Sequence, residues 1–297
     1  MNTLVIVAGP TAVGKTAWSI QLAQALQTEI ISCDSRQCYR ELRIGVARPE
    51  EEELRTVAHH LVAHRTIKQP YNAYLFEQEA LQVAERLFAT HPTVIATGGT
   101  GLYIDALRRG MALMPDPSPR LRQYLTHRLQ TEGIRPLQTL LSQVDPEAYS
   151  RVDTLNPSRL QRALETTLTT GKPLSHSVNA APRPRPFRIV TVVLDCDKQV
   201  LRQRIDQRVD RMMTLGLLDE VRQLLPYRQL NALNTVGYKE LFAHLDGLCT
   251  LEQAVQQIKV DTWHYAKKQL TWISRYEDAL HLPNTAPVDS LLQALSI

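Results

Sequence analysis

The sequence predicts an α/β fold: a parallel sheet covered by helices, interrupted by an inserted all-helical domain and closed by a helical C-terminus. Three observations carry this expectation. Over the first hundred residues, short apolar runs alternate with longer helical patterns, as they do when a parallel sheet is buried between helices. A glycine-rich segment, Gly9-Pro-Thr-Ala-Val-Gly-Lys15-Thr16, joins the first apolar run to the first helical one. Past Gly110 the β-branched runs stop, and Pro115, Pro117 and Pro119 open a stretch of helical periodicity.

Leu4–Ala8 reads as the first strand. Ala17–Leu26, with Ile20, Leu22, Ala23 and Leu26 at helical spacing, reads as the following helix, and Glu29–Ser32 as a second short strand. Asn72–Ala89 is expected as a long amphipathic helix capped by Asn72, with Leu75, Ala80, Val83, Ala84 and Leu87 as its buried stripe. Thr93–Ala96 is a third, buried strand. In the insertion, Arg120–Gln130, Arg135–Gln143 and Arg159–Thr169 read as helices, and Ala180-Ala-Pro-Arg-Pro-Arg-Pro186 as a stiff extended linker. Arg188–Asp195 returns the chain to the sheet, and helices Lys198–Met213, Leu217–Leu225, Tyr238–Leu245 and Leu251–Ser274 complete it. The expected division is a core of residues 1–111 and 188–297 around an inserted domain of residues 112–187.

The 297 residues are 43% hydrophobic and 22% charged, which supplies a core and excludes a disordered chain. The net charge is only +4, yet residues 117–190 hold 11 Lys/Arg against 5 Asp/Glu. The positive charge is local, and a polyanionic partner is expected there. Cys33, Cys38, Cys196 and Cys249 form no C-x-x-C pair and lack the density of a disulfide scaffold, which favours a reducing compartment. The N-terminal apolar run has no basic stretch before it, and no segment approaches the roughly 20 apolar residues of a membrane span. A cytoplasmic protein with no membrane partner is expected. The nine histidines form no metal-spaced set.

The glycine-rich segment fits G-x-x-x-x-G-K-[ST] in its proper context between strand and helix, so the core is expected to be P-loop NTPase-like. Gly9, Pro10, Thr11, Ala12, Val13, Gly14 and Lys15 would wrap a phosphate group, and the Thr16 hydroxyl would ligate Mg2+. The motif marks phosphate binding, not nucleotide hydrolysis. Asp34-Ser35-Arg36-Gln37 follows the second strand at the sheet edge where ligands collect. There Asp34 can accept a proton or cap the next helix, while Ser35 and Gln37 can read a base edge. Gly98-Gly99-Thr100-Gly101 opens on the same edge, so two glycine loops face one cleft. A hydrolysing P-loop protein has an aspartate at the end of a neighbouring strand to hold Mg2+ through water. Here the Thr93–Ala96 strand ends in Thr-Gly-Gly; the Arg188–Asp195 strand does end in aspartate, but it follows the insertion and Asp195 could as easily cap the Lys198 helix, so the hydrolase pattern is incomplete. Arg204, Arg208 and Arg211 share one helix face; turned to the cleft they neutralise a leaving phosphate, and turned away, among Asp206 and Asp210, they are a solvated face. The last long helix mixes Trp263, His264, Tyr265, Lys267, Lys268, Trp272 and Arg275, as single-strand binders do, although core burial is the stronger expectation for at least one of the tryptophans.

Taken together, GPTAVGKT, DSRQCYR (34–40), IGVARP (44–49), HHL (59–61), GGTGLY (98–103), RLQRALE (159–165), TGKPLS (170–175), RVDRMMTLGLLDEV (208–221), VGYKE (236–240) and YAKKQLTW (265–272) resemble the tRNA dimethylallyltransferase (tRNA isopentenyltransferase) family, bacterial type. The resemblance covers nearly the whole chain. It implies transfer of a dimethylallyl group from dimethylallyl diphosphate to the exocyclic N6 amine of the adenosine immediately 3′ of the anticodon, in tRNAs reading U-starting codons. It further implies Mg2+ as cofactor, the tRNA anticodon stem-loop as partner and a monomeric enzyme. By the same resemblance Asp34, Thr100 and Arg208 are catalytic, and Lys15 and Thr16 hold the diphosphate. Asp34, Ser35, Arg36, Gln37, Thr100, Arg122, Ser158, Arg159, Leu160, Gln161 and Arg162 are the implied tRNA contacts.

Val46 and Arg48 stand where the family motif has threonine and lysine, Asn156 and Ser158 where it tends to have aspartate and arginine, and Trp263 where arginine is frequent. Two other readings remain: a P-loop small-molecule or nucleotide kinase of adenylate-kinase type, and an RNA-binding protein with a vestigial P-loop. The allyl-transfer chemistry suits the residues better. Loss of diphosphate from an allylic carbon leaves a resonance-stabilised cation, so the demand on the protein is electrostatic neutralisation of the leaving group.

Overall fold

The computed structural model describes residues 1–111, 117–174 and 183–295. Ser175 of the TGKPLS motif and residues 180–182 of the expected linker lie outside the described residues. Six parallel strands form one sheet in the order β3-β2-β4-β1-β5-β6: β1 Thr3–Ala8, β2 Ile30–Ser32, β3 His59–His60, β4 Thr93–Thr97, β5 Arg188–Asp195 and β6 Leu280–Pro283. Every residue of β1 is buried. Its near-continuous apolar run is what a strand covered on both faces requires, and Val5 pairs with both Ile95 and Val190. The central position of β1 sends the P-loop out of the middle of the sheet. The carboxyl ends of β4 and β2 lie beside it, so the turns that carry Gly98–Gly101 and Asp34 emerge at the same edge.

Helix α1, Lys15–Ala25, starts directly after Gly14. The long helix expected at Asn72–Ala89 spans Ala73–Phe88, with the Asn72 side chain accepting the Leu75 N–H at 2.9 Å. Leu75 itself is 37% exposed, contrary to expectation. The ring of Phe76 stacks on Tyr103 with centroids 4.1 Å apart, which turns the buried stripe to Ala73, Phe76, Ala80, Val83, Ala84 and Leu87. The Lys198–Thr214 helix is capped by Asp197, which accepts from Gln199 and Val200 N–H; Asp195 instead meets His281 of β6. Strands β3 and β6, and the helices Glu51–Thr56, Gly101–Arg109, Pro146–Arg151 and Asp289–Leu295, have no counterpart among the expected elements. They are too short, or too exposed, for a periodic signal.

The chain divides into two compact units, Met1–Arg108 with Pro184–Ile297, and Arg109–Arg183. The second contains helices Pro119–Glu132, Arg135–Val144, Pro146–Arg151 and Pro157–Thr170 around Leu125, Leu137, Leu141, Ala148, Leu160, Ala163 and Leu164. Leu160 is fully buried in this core and is corrected as a tRNA contact. Its position on the apolar stripe with Ala163 and Leu164 turns it inward. Asn156, despite lacking a charge, keeps the cap of its helix by accepting the Ser158 and Arg159 N–H groups.

In the first unit, Arg185 is 7% and Glu77 0% exposed at the side chain, and they pair at 2.8 Å. The same guanidinium donates to the Ala106 and Leu107 carbonyls in the last turns of the Gly101–Arg109 helix, where a cation is favoured by the helix dipole. Replacing one member of a buried pair leaves an uncompensated charge and costs about 3–5 kcal/mol. Urea denaturation of Arg185→Met is expected to show a loss of that size, partly restored in the Glu77→Leu/Arg185→Met double variant. A loss below about 1 kcal/mol would contradict the role given to the pair.

Candidate active site

The P-loop is built as an anion cradle. Gly14 precedes the first helical residue with φ 106°, a backbone conformation that only glycine adopts at little cost, and it aims the first-turn N–H groups of α1 into open space. Those groups have no intrahelical acceptor. Lys15 folds back to donate to the Gly9 and Pro10 carbonyls at 3.0 and 2.8 Å. Val13 contributes only backbone: its side chain is buried in the core, and its carbonyl accepts from Arg204 and Asn284 at 3.0 and 2.8 Å.

One cavity of about 860 Å3 gathers Lys15, Thr16, Asp34, Arg204, Arg208 and Arg211 on its walls. The arginine helix therefore turns its i, i+4, i+7 face to the cleft. Arg204 is tied to the P-loop carbonyl and Arg211 to Glu50 at 2.6 Å, whereas Arg208 has no hydrogen bond or ion pair among the described residues. Burial lowers its affinity for its proton, partly offset by the Asp34 carboxylate. The Arg208 guanidinium is thus the free donor of the three. Arg202, off that face, packs near Trp263 and pairs with Asp206. Trp263 is half-buried against the core, and Trp272 donates to Asp105 at 3.1 Å.

No helix follows Asp34 for it to cap. Its Oδ1 accepts the Arg36 and Gln37 N–H groups at 2.8 and 3.1 Å, holding a turn, while the residue lines the cavity. Thr100 is not on the cavity wall. It accepts the Ser35 N–H at 3.0 Å and donates to the Ser35 hydroxyl at 3.3 Å, fixing the turn that presents Asp34. Arg36 donates to the carbonyls of Asn231, Ala232 and Asn234, and Gln37 to those of Val46 and Ala47. Both side chains brace the protein's own loops. In the helical unit Arg122 binds Glu165 through two nitrogens at 3.1 and 3.4 Å, Arg162 lies 3.7 Å from the same carboxylate, and Gln161 donates to Thr126 and Glu165. Arg159 is 3.9 Å from Asp153 with its side chain 63% exposed.

A smaller chamber of about 110 Å3 shares Thr11, Asp34, Arg208, Met212 and Tyr265 with the large cavity and continues between Val46, Val209, Val236 and Ile258. Burial and the nearby Asp34 charge push the Tyr265 phenol up to about 12, so it stays a neutral hydroxyl. Burial likewise holds Cys38 up to about 12 and raises Cys33; both thiols beside Asp34 remain protonated and are no nucleophiles. Among the described residues no group of three His, Cys, Asp or Glu could hold a metal. Two residues of this site went unread in the sequence. Gln269 bonds both glycine loops, and Glu220 accepts the Arg43, Ile44 and Gly45 N–H groups and the Tyr238 hydroxyl, which holds the cleft-lining loop in place. A polar residue on the apolar stripe of its helix was the signal for Gln269; Glu220 gave none.

The IPP transferase family model matches residues 37–276. The tRNA dimethylallyltransferase of Christiangramia forsetii is 44% identical over 274 residues, 92% of this chain and 91% of that protein. A tRNA dimethylallyltransferase of Bacteroides thetaiotaomicron is 44% identical over 278 residues, 94% and 90% of the two chains. Among solved structures, the tRNA isopentenylpyrophosphate transferase of Bacillus halodurans superposes with a TM-score of 0.72 at 31% identity, over 99% of this chain and 94% of that one. A eukaryotic dimethylallyltransferase acting on tRNA gives 0.81 at 26% identity, over 100% and 78%.

Burial, then the Arg208 charge, bring Lys15 from 10.5 down to about 7. An anion in the cradle favours the ammonium and raises that value, so binding takes up protons above about pH 7 and weakens as pH rises from there. Calorimetric titration with inorganic diphosphate near pH 8, in two buffers of different ionisation enthalpy, is expected to report proton uptake that disappears in Lys15→Met. Equal proton exchange in the two proteins would contradict this.

Proposed function

The chain belongs to the IPP transferase family, and from that premise and the geometry of its cleft we propose that it transfers a dimethylallyl group from dimethylallyl diphosphate to the N6 amine of the adenosine immediately 3′ of the anticodon. The observation that carries the reading is that Lys15, Arg208 and Asp34 line one cavity, from which a smaller chamber continues past Asp34 and Arg208 to the aliphatic side chains of Val46, Val209, Val236 and Ile258. A donor with a diphosphate head and a five-carbon tail matches that division. The kinase reading draws no comparable support: β4 ends at Thr97 and runs into Gly98-Gly99, and the aspartate that ends β5, Asp195, is paired with His281.

In the proposed reaction the C1–O bond of the donor breaks as the N6–C1 bond forms. Positive charge develops on the allyl group and negative charge on the departing diphosphate, which the P-loop amides, Lys15 and Arg208 stabilise. The amine is too weak an acid to ionise beforehand, so Asp34 accepts its proton as the new bond forms and later releases it to solvent. Thr100 and Ser35 hold the turn that aims Asp34, so the part given to Thr100 is to position that carboxylate. The residues present fit a magnesium ion: Thr16, whose side chain carries a hydroxyl, lines the cavity, and Mg2+ takes few protein ligands, completing its shell with phosphate oxygens and water. When bound, Mg2+ supplies further neutralisation of the diphosphate.

The target base must leave the anticodon-loop stack to enter such a cavity. The Asp34–Gln37 turn meets it there, and the basic helical unit, with Arg122, Ser158, Arg159, Gln161 and Arg162 on its Pro119–Glu132 and Pro157–Thr170 helices, contributes phosphate contacts. No helix among the described residues is long and apolar enough to cross a membrane; a monomer working on tRNA in the cytoplasm is the proposed setting.

Labelled dimethylallyl diphosphate and labelled ATP, each incubated with bulk tRNA, test the proposal; only the former is expected to label RNA. Asp34→Asn keeps the acceptor for the Arg36 and Gln37 amides and is expected to lower transfer by about 10²–10⁴ without loss of tRNA affinity. Arg159→Ala is expected to do the reverse, sparing turnover at saturating tRNA and flattening log affinity against log salt by about one unit. Label arriving from ATP, or full transfer by Asp34→Asn, would overturn the assignment.

A further inference from the structure

The Leu251–Ile273 helix buries Ala254, Ile258, Ala266 and Ile273 along one stripe, and Gln269 lies in that stripe at 6% exposure. A buried primary amide must be satisfied at both ends. Its Oε1 accepts the Thr11 N–H at 2.7 Å, and its Nε2 donates to the Gly99 carbonyl at 2.8 Å. The partners fix the orientation, since an N–H meets only the oxygen and a carbonyl only the nitrogen. The approach is close enough that a Cβ on residue 99 would overlap Nε2. One side chain thus joins the P-loop to the second glycine loop, and the linkage continues: Gly99 precedes Thr100, which holds Ser35, which adjoins Asp34.

We propose that Gln269 is a positioning residue that fixes the distance between the diphosphate cradle and the Asp34 turn, and so aligns the allylic carbon with the attacking amine. The inference rests on the function proposed above. Each half-site has its own anchors: Lys15 and Arg208 for the anion, Thr100 and the Asp34–Gln37 turn for the base. Removing Gln269 therefore leaves either substrate able to bind while the reacting atoms drift apart. An ångström of misplacement costs about 10²-fold in rate.

Gln269→Met preserves length and the apolar stripe but deletes both bonds. Its kcat is expected to fall about 10²-fold, with the affinities for inorganic diphosphate and for tRNA, measured separately, and the thermal midpoint close to wild type. Gln269→Glu supplies a readout that a simple packing role would not move. Ionised, it cannot donate to the Gly99 carbonyl; protonated, it offers one donor and one acceptor as glutamine does. Its activity relative to wild type is expected to rise as pH falls. An unchanged kcat in Gln269→Met, or losses in kcat and both affinities together, would overturn the proposal, as would a flat Gln269→Glu ratio if the methionine variant does not fold. A wild-type chain that transfers no dimethylallyl group would instead refute the parent function. Hydrogen exchange at the Thr11 amide, which needs no reaction, then decides for the strap: protection lost in Gln269→Met supports it, and protection retained overturns it.

Discussion

The site depends on a concentration of positive charge that the protein does not neutralise by itself. Lys15 rests on two backbone carbonyls, the first-turn amides of α1 have no intrahelical acceptor, and Arg208, which makes no hydrogen bond or ion pair among the described residues, lines the same cavity. Asp34 is the carboxylate that acts on both cations. Such an arrangement is unfavourable when empty, which is why burial lowers the Lys15 proton affinity so far. It becomes favourable when a multiply charged anion enters. The same arrangement favours a departing diphosphate over an intact ester, because the leaving group gains charge during the reaction.

Everything around the cradle keeps that charge in register with Asp34. The central position of β1 brings three strand ends together, and short turns convert their separation into the distance between substrate groups. Contacts far apart in sequence then lock the turns. Glu220 gathers three successive amides of the loop after Leu42, and Arg36 spans to the carbonyls at 231–234. These side-chain bonds explain why motifs scattered over the chain occur as a set: the loops at the sheet edge are tied to the C-terminal half of the chain through Gln269, Glu220 and the carbonyls at 231–234.

The strands β1, β2, β4 and β5 were legible because strands buried on both faces leave apolar runs, and the P-loop because its glycines and lysine are demanded by backbone geometry and charge at fixed spacing. The arginine face was legible as a helical period, though only the structure separates Arg208, which is free, from Arg204 and Arg211, which are bound. Leu75 misled because Phe76, one residue on, found a ring to stack against. Leu160 misled because a motif carries scaffold and contact residues alike, and its apolar character decided in favour of the core. Gln269 and Glu220 escaped because their backbone partners lie more than a hundred residues away, and backbone groups carry no sequence signature. The two-residue β3 exists only because β2 offers it a ladder.

The central claim is that the cleft works by stabilising separated charge, cation on the allyl group and anion on the diphosphate. Single-turnover transfer from dimethylallyl diphosphates carrying zero, one, two or three fluorines on a methyl group measures this directly. Fluorine withdraws electrons from the developing cation and leaves the diphosphate contacts intact. The account predicts a steep fall in transfer rate with each fluorine at nearly constant donor affinity. A rate that holds steady, or rises, across the series would show that the amine displaces diphosphate without charge separation and would contradict the account.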